Sequence, residues 1–237
     1  MHIHCILHIS FERLGAINDW IIKKGHTLSE THVYKGESLP TDMNQFDFLI
    51  LMGGPQSPLE LDKYPYIRDE INLVKKAIKT DKVVFGICLG AQIIAEALGA
   101  KTERSPHKEV GEYPVSVLES GNNDVFFSRL APVFNAIHWH NDMLGLPENA
   151  ILLAKSEGCP RQAFKYGDRV YGFQFHLEPT TVLLKEMIAH CPGDLLPGQY
   201  IQSAAELSNI DCEKINNHLY LFLDEMETLV TNHQQKV

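Results

Sequence analysis

The segment Gly86-Ile87-Cys88-Leu89-Gly90 sets a cysteine between two glycines, each two residues away. It lies where an apolar run, Val83 to Ile87, gives way to the helical pattern of Ala91 to Leu98. A sharp strand-to-helix turn leaves little room beside its central residue, which calls for glycine at those positions, as in the serine form of the same elbow. The turn also puts sulfur at a helix N-terminus, where unpaired N–H groups and the helix dipole favour thiolate over thiol. Taken alone, the same spacing equally describes a buried structural cysteine between packing glycines. Two further segments bear on the choice. Gly53-Gly54-Pro55 ends an earlier apolar run, Phe46 to Met52, and the ends of neighbouring strands in an open α/β sheet meet at the ligand crevice. The N–H groups of Gly54 and Leu89 are candidate oxyanion donors, such a donor being worth about 3 kcal/mol. Near the other end, Phe173 to Pro179 closes a strand with His176 and Glu178, and residues i and i+2 share a strand face. Glu178 can then hold one imidazole nitrogen while His176 presents the other to Cys88.

The elements that must position these groups are legible from pattern. His2 to Ile9 reads as a strand, and Leu14, Ile17, Trp20 and Ile21 recur at helical spacing before a stop at Gly25. A second unit follows in Phe46 to Met52 and Tyr66 to Lys79, with Ile67, Ile71, Val74 and Ile78 on one helical face. Alternation of strand and helix implies a doubly wound, mainly parallel α/β sheet flanked by helices. Beyond Gly99, short strands are expected at Tyr113–Leu118, Val133–Trp139, Ile151–Ala154, Arg161–Tyr166 and Val170–Phe175, as a small antiparallel region. A helix over Pro179–His190, a Pro/Gly loop and two more helices within Tyr200–Val230 complete the chain, with Thr231–Val237 expected to fray. The expected division is a domain over 1–194 and a C-terminal helical extension over 195–237 packed on it. Ile215, Leu219, Phe222, Leu223, Met226 and Leu229 form the apolar face of that extension, which serves either to cap the domain or to build a homodimer.

Composition narrows the function classes. The chain has 237 residues, 44% of them hydrophobic, enough for a sizeable core. Its 21 Lys and Arg against 30 Asp and Glu give a formal charge of −9, which opposes attraction to nucleic-acid phosphates and anionic membranes. No run approaches a membrane span and the first ten residues lack a secretory signal's pattern, so a cytoplasmic chain without membrane or nucleic-acid partners is expected. Five scattered cysteines without CxxC pairs suggest reduced thiols. His138-x-His140 sets two imidazoles on one strand face, but no nearby residue offers a convincing third ligand, so neither metal nor cofactor is expected.

Together, MGGP (Met52–Pro55), GICLGAQIIAEALGA (Gly86–Ala100) and GFQFHLE (Gly172–Glu178) resemble the class I, or triad, glutamine amidotransferases. KEVGEYPV (Lys108–Val115), HWHND (His138–Asp142) and Leu153–Phe164 resemble stand-alone, GMP-synthase-like members. The resemblance covers roughly residues 1 to 190 and implies a flavodoxin-like fold. It further implies Cys88 as nucleophile, His176 as base, Glu178 as its partner, and Gly54 with Leu89 as oxyanion donors. Gln92, Gln56, Asn141 and Asp142 are implied to line the substrate pocket. Leu177 departs from the family, which usually has proline there. No P-loop pattern or synthetase segment is present, so an amidotransferase of this kind implies ammonia delivery to a separate synthase. Stand-alone relatives also resemble γ-glutamyl peptidases, which apply the same triad to γ-glutamyl small molecules. A non-catalytic, amidotransferase-like binding module is the reading from another class.

Overall fold

The structure, a computed structural model, describes residues 1–234, with side chains as far as residue 232. Ten strands form one sheet: β1 (His2–Leu7), β2 (Thr27–His32), β3 (Phe48–Leu51), β4 (Val83–Ile87), β5 (Glu103–Val117), β6 (Val133–Met143), β7 (Ile151–Lys155), β8 (Ala163–Tyr166), β9 (Val170–Phe173) and β10 (Tyr200–Ile201). The helices are α1 (Ala16–Lys24), α2 (Tyr66–Lys79), α3 (Leu89–Ala97), α4 (Thr181–His190), α5 (Ala204–Leu207) and α6 (Cys212–Gln234).

Strand order is β10-β5-β7-β8-β9-β4-β3-β1-β2, with β6 paired to β5. Strands β9, β4, β3, β1 and β2 run parallel, whereas β5 to β9 are joined by antiparallel pairings. The expected doubly wound, mainly parallel architecture with an antiparallel region is therefore present. The central strands β3 and β4 are buried along their whole length, which is why they read as continuous apolar runs. Ile17, Trp20 and Ile21 of α1 pack on one face of the sheet with Phe222 and Leu223 of α6. Ile67 and Leu73 of α2 pack on the other with Ile93 and Ile94 of α3.

Several boundaries differ from the pattern reading, each for a physical reason. Strand β2, Thr-Leu-Ser-Glu-Thr-His, has no apolar run because it is an edge strand paired only with β1. His2 and His4 of β1 hydrogen-bond to its Thr27, Ser29 and Thr31 hydroxyls. Strand β5 begins at Glu103, ten residues before the expected Tyr113, since its first half is polar and pairs with the far end of β6 across an irregularity. In α2 the buried stripe is Ile67, Glu70, Leu73, Val74 and Ala77, with Ile71 and Ile78 at its margin. The stripe is rotated because it contains a glutamate that periodicity of apolar residues passes over.

Strand β10 lies parallel to β5, and α6 lays Ile215, Leu219, Phe222, Leu223, Met226 and Val230 into the core shared with the sheet. The Phe222 ring lies 4.5 Å from that of Phe85 and 4.7 Å from that of Phe173. Helix α6 continues through Thr231 to Gln234, within the stretch expected to fray; residues 235–237 lie outside the described residues. No helix among the described residues is long and apolar enough to cross a membrane.

Candidate active site

Cys88 sits between β4 and α3 with φ 52° and ψ −106°, a positive-φ conformation that costs energy for any residue with a side chain. The two glycines of the motif make the turn possible. A Cβ on Gly86 would lie 2.4 Å from the Gly90 carbonyl carbon, and one on Gly90 would lie 2.1 Å from the Leu51 carbonyl oxygen. Sulfur is thus lifted to the C-terminal end of the parallel strands, beside the first turn of α3 and its unpaired N–H groups. The Cys88 S–H points to the Trp139 carbonyl oxygen at 3.8 Å.

The segment bearing His176 leaves regular pairing sooner than expected. Strand β9 stops at Phe173, and His176 instead makes an isolated bridge to Ile137 of β6, its N–H donating to the Ile137 carbonyl at 2.7 Å and its carbonyl accepting at 3.1 Å. Its Nδ1 lies 2.7 Å from Glu178 Oε1, with both side chains buried. Among the described residues, Nε2 is buried and meets no hydrogen-bond partner. Burial alone would lower the imidazole pKa, but the Glu178 carboxylate and the neighbouring Cys88 sulfur hold it well above the usual histidine value. A carboxylate on one imidazole nitrogen with the other left toward a cysteine is an arrangement for moving a proton to and from sulfur. Leu177 takes part as well: its N–H donates to Glu178 Oε2 at 3.1 Å, a bond that proline at this position could not make.

Gly54 and Leu89 line one cavity of about 280 Å³ with Cys88, Gln56, Gln92, Asn141 and Asp142, so every sequence-derived oxyanion and substrate candidate borders the same space. Its size falls just short of the usual range for small-ligand sites, which begins at roughly 300 Å³. Gln56 donates to the His8 carbonyl at 3.0 Å, and Asp142 is tied to Ser57 and Arg104, each at 2.5 Å. A second cavity, of about 550 Å³, opens at the other end of the strands around Lys82, Tyr166 and Arg169.

Several residues of the site escaped the sequence reading. Gln174 donates from Nε2 to Cys88 Sγ at 3.5 Å, while its Oε1 accepts from Leu144 N–H at 2.9 Å and from Gln92 at 3.3 Å. Its position two residues before His176 was the available signal. His8, at the end of β1, braces the glycine loop: its Nδ1 donates to the Gly53 carbonyl at 3.1 Å and its Nε2 to Glu70 at 2.7 Å, with both side chains fully buried. Facing a carbonyl and a carboxylate, both ring nitrogens donate only in the imidazolium form, which this pairing favours. Against the lowering effect of burial, Glu70 raises the His8 pKa. Asp194 joins the cavity wall from the loop after α4, accepting from Lys108 at 2.6 Å and Trp139 Nε1 at 2.9 Å.

His138 and His140 meet a distant partner that sequence neighbours did not offer. Both face the buried Glu109 carboxylate, at 3.5 and 3.1 Å, and donor atoms of Glu109, His140 and Cys159 lie within 4.8 Å of one another. Three such atoms are close enough to share a cation. However, the carboxylate already accepts from Ser156 at 2.7 and 2.9 Å and from Gln162 at 2.7 Å. Burial would raise its pKa, but the histidines hold it well below the usual carboxylate range. The cluster's negative charge is thus met by protein donors, and its geometry fits an anchor for β6 under the site.

Known proteins resemble the chain along its whole length. Residues 15–190 match the model of the glutamine amidotransferase class-I family. The glutamine amidotransferase-like protein YfeJ of Salmonella typhimurium is 42% identical, with all of both chains covered. A glutamine-hydrolyzing GMP synthase subunit of Ignicoccus hospitalis is 34% identical over 59% of this chain and 70% of its own. The crystal structure of a glutamine amidotransferase from Thermotoga maritima superposes with a TM-score of 0.85 at 28% identity, covering 95% of this chain and 97% of that one. With its doubly wound sheet and a cysteine elbow at the strand ends, this chain belongs to the class I glutamine amidotransferase family.

Proposed function

We propose that the chain hydrolyses the γ-amide of glutamine, with Cys88 as nucleophile, His176 as general base and acid, and Glu178 as its orienting carboxylate. The observation that carries this reading is the convergence of a positive-φ cysteine elbow with an imidazole held at 2.7 Å by a buried carboxylate and, among the described residues, unpartnered at Nε2. The Cys88 thiolate attacks the γ-carbonyl carbon, and the N–H groups of Gly54 and Leu89 receive the oxyanion. His176 then protonates the departing nitrogen, ammonia leaves, and a γ-glutamyl thioester remains. Water, deprotonated by His176, attacks the thioester; glutamate departs and the thiolate is restored. Gln92, Gln56, Asn141 and Asp142 bound the pocket that receives the glutamyl part. No metal or cofactor enters any of these steps.

The released ammonia is passed to a separate synthase, a division of labour suggested by the relative whose name makes it one subunit of a GMP synthase. The protein assayed alone against glutamine and a panel of γ-glutamyl peptides, with Cys88→Ala as control, should show slow glutaminase activity, because closure on a partner completes such sites. A glutamine-like electrophile should add once, at Cys88; labelling at Cys5, Cys159, Cys191 or Cys212 instead would overturn the assignment. Efficient Cys88-dependent cleavage of a γ-glutamyl peptide with glutamine untouched would establish a γ-glutamyl peptidase, and glutamine binding without turnover, alone or with a synthase, a binding module.

A further inference from the structure

A carboxyl group that neither the amidotransferase motifs nor the mechanism above uses stands in the pocket. Glu12 lies in the loop between β1 and α1, ahead of the residues 15–190 that match the family model, and borders the cavity with Cys88 and Gly54. A Cβ on Gly53 would fall 2.7 Å from Glu12 Oε2, 3.1 Å from His176 Cε1 and 3.7 Å from Cys88 Cβ. The carboxylate, the imidazole edge next to Nε2 and the nucleophile's side chain therefore converge on the space this glycine leaves open.

The loop is pinned on both sides of Glu12. Phe11 stacks on His190 of α4 with centroids 4.6 Å apart and planes 7° from parallel. Arg13 Nη2 donates to both carboxylate oxygens of Glu186 at 2.7 Å, and Ala16 N–H donates to the Glu178 carbonyl at 2.9 Å. These contacts hold the half-buried Glu12 at the edge of the cavity rather than on the open surface. Among the described residues its carboxyl receives no hydrogen bond, although His176, Glu178, His8 and Asp194 all act on it electrostatically. Burial, the largest effect, brings its pKa up to about 7. An acceptor that is fixed, partly desolvated and without a donor is one a substrate N–H can satisfy.

We propose that Glu12 binds the leaving amine, accepting a hydrogen bond from the nitrogen that departs as the tetrahedral adduct on Cys88 collapses. This rests on the amide-hydrolysis reading and adds to it a residue on the leaving-group side. In that step the C–N bond breaks, its electron pair stays on nitrogen, and the Nε2–H of His176 supplies the proton. The products are the thioester and ammonia, or a primary amine from a substituted γ-amide. Glu12 neither gains nor loses a proton; it orients an N–H that the nitrogen already carries. The substrate class is thereby γ-glutamyl amides whose nitrogen keeps at least one hydrogen, over γ-glutamyl esters.

The test uses the full chain with Glu12→Gln and Glu12→Ala, three probes and kcat/KM, which reports the acylation half-reaction. Against glutamine, Glu12→Ala should lose about 10- to 100-fold, the range for one hydrogen bond to a charged group, and Glu12→Gln less. Against the γ-methyl ester of glutamate, whose leaving oxygen offers no N–H, both variants should stay within about twofold of the parent. Alkylation of Cys88 by a glutamine-like chloroketone, where chloride departs, should be equally unaffected, which also reports that the variants are folded. Equal losses on amide and ester would overturn the proposal in favour of a role in placing His176 or the glutamyl group. Full glutamine activity in both variants would overturn it outright. If the parent cleaves neither amide nor ester, the amide-hydrolysis reading itself fails, and this inference with it.

Discussion

At the scale of single residues, the site depends on groups whose charge state is set by burial against a fixed partner. His8 shows the consequence for stability. Its folded pKa is raised by Glu70, so the pair stabilises fully below the ordinary histidine value near 6.5, and the contribution is lost as pH rises through the raised folded value. Breaking one partner of a buried pair costs about 3–5 kcal/mol. Glu70→Gln should therefore melt well below the parent at pH 6, and the gap should narrow as pH climbs past the His8 titration. Equal gaps across that range in thermal melts would contradict the assignment of imidazolium. Leu177 offers a finer test. Leu177→Pro removes one hydrogen bond to Glu178, worth about 1.5–3 kcal/mol at most. The Glu178 carbonyl stays tied to Ala16, so kcat/KM for glutamine should fall by about 100-fold at most without loss of fold.

At the scale of elements, the loop carrying Glu178 is held by a helix that the sequence reading treated as an appendage. Asn216 of α6 donates from Nδ2 to the carbonyls of Leu177 at 2.7 Å and Pro179 at 3.1 Å. Those carbonyls flank Glu178, so α6 acts on the position of the carboxylate although it supplies no group to the pocket. Asn216→Ala leaves two buried acceptors unpaired, at a cost of about 1–3 kcal/mol, which for a chain of this size lowers Tm by about 2–4 °C per kcal/mol. If Asn216 positions Glu178, kcat should fall while KM for glutamine changes little; a drop in Tm with unchanged kcat would leave it a purely structural residue.

At the scale of the whole molecule, the chain after residue 195 shares the core of the sheet. Phe222 packs on Phe85 of β4 and Phe173 of β9, the strands that lead into Cys88 and His176. The apolar face of α6 is already buried within one chain, so we propose that it caps the domain and that residues 1–194 do not fold without it. Phe222→Ala should cost about 3–5 kcal/mol as a cavity in the core, and deleting residues 200–237 should give an aggregated product. A soluble truncation with the parent's Tm and oligomeric state would refute this account. The same logic fits β10, whose two residues add to β5 shortly after the segment from which Asp194 lines the cavity.

Local spacing made part of this legible. Glycines two residues either side of Cys88 are needed by the turn itself, and His176 with Glu178 are two residues apart, so the elbow and the imidazole–carboxylate pair could be read from short segments. The parallel core strands were legible because strands buried on both faces are apolar throughout. Strand β2 and the first half of β5 were not, because an edge or polar strand gains its pairing from neighbours rather than from its own apolar content. Contacts between residues remote in sequence lay beyond pattern altogether. His8 meets Glu70 across 62 residues, and Gln174 meets Cys88 across 86. Glu12 and Asp194 reach one cavity from opposite ends of the chain. A polar side chain read alone looks solvated; only packing removes its water and leaves a particular partner, or an unfilled acceptor, in its place.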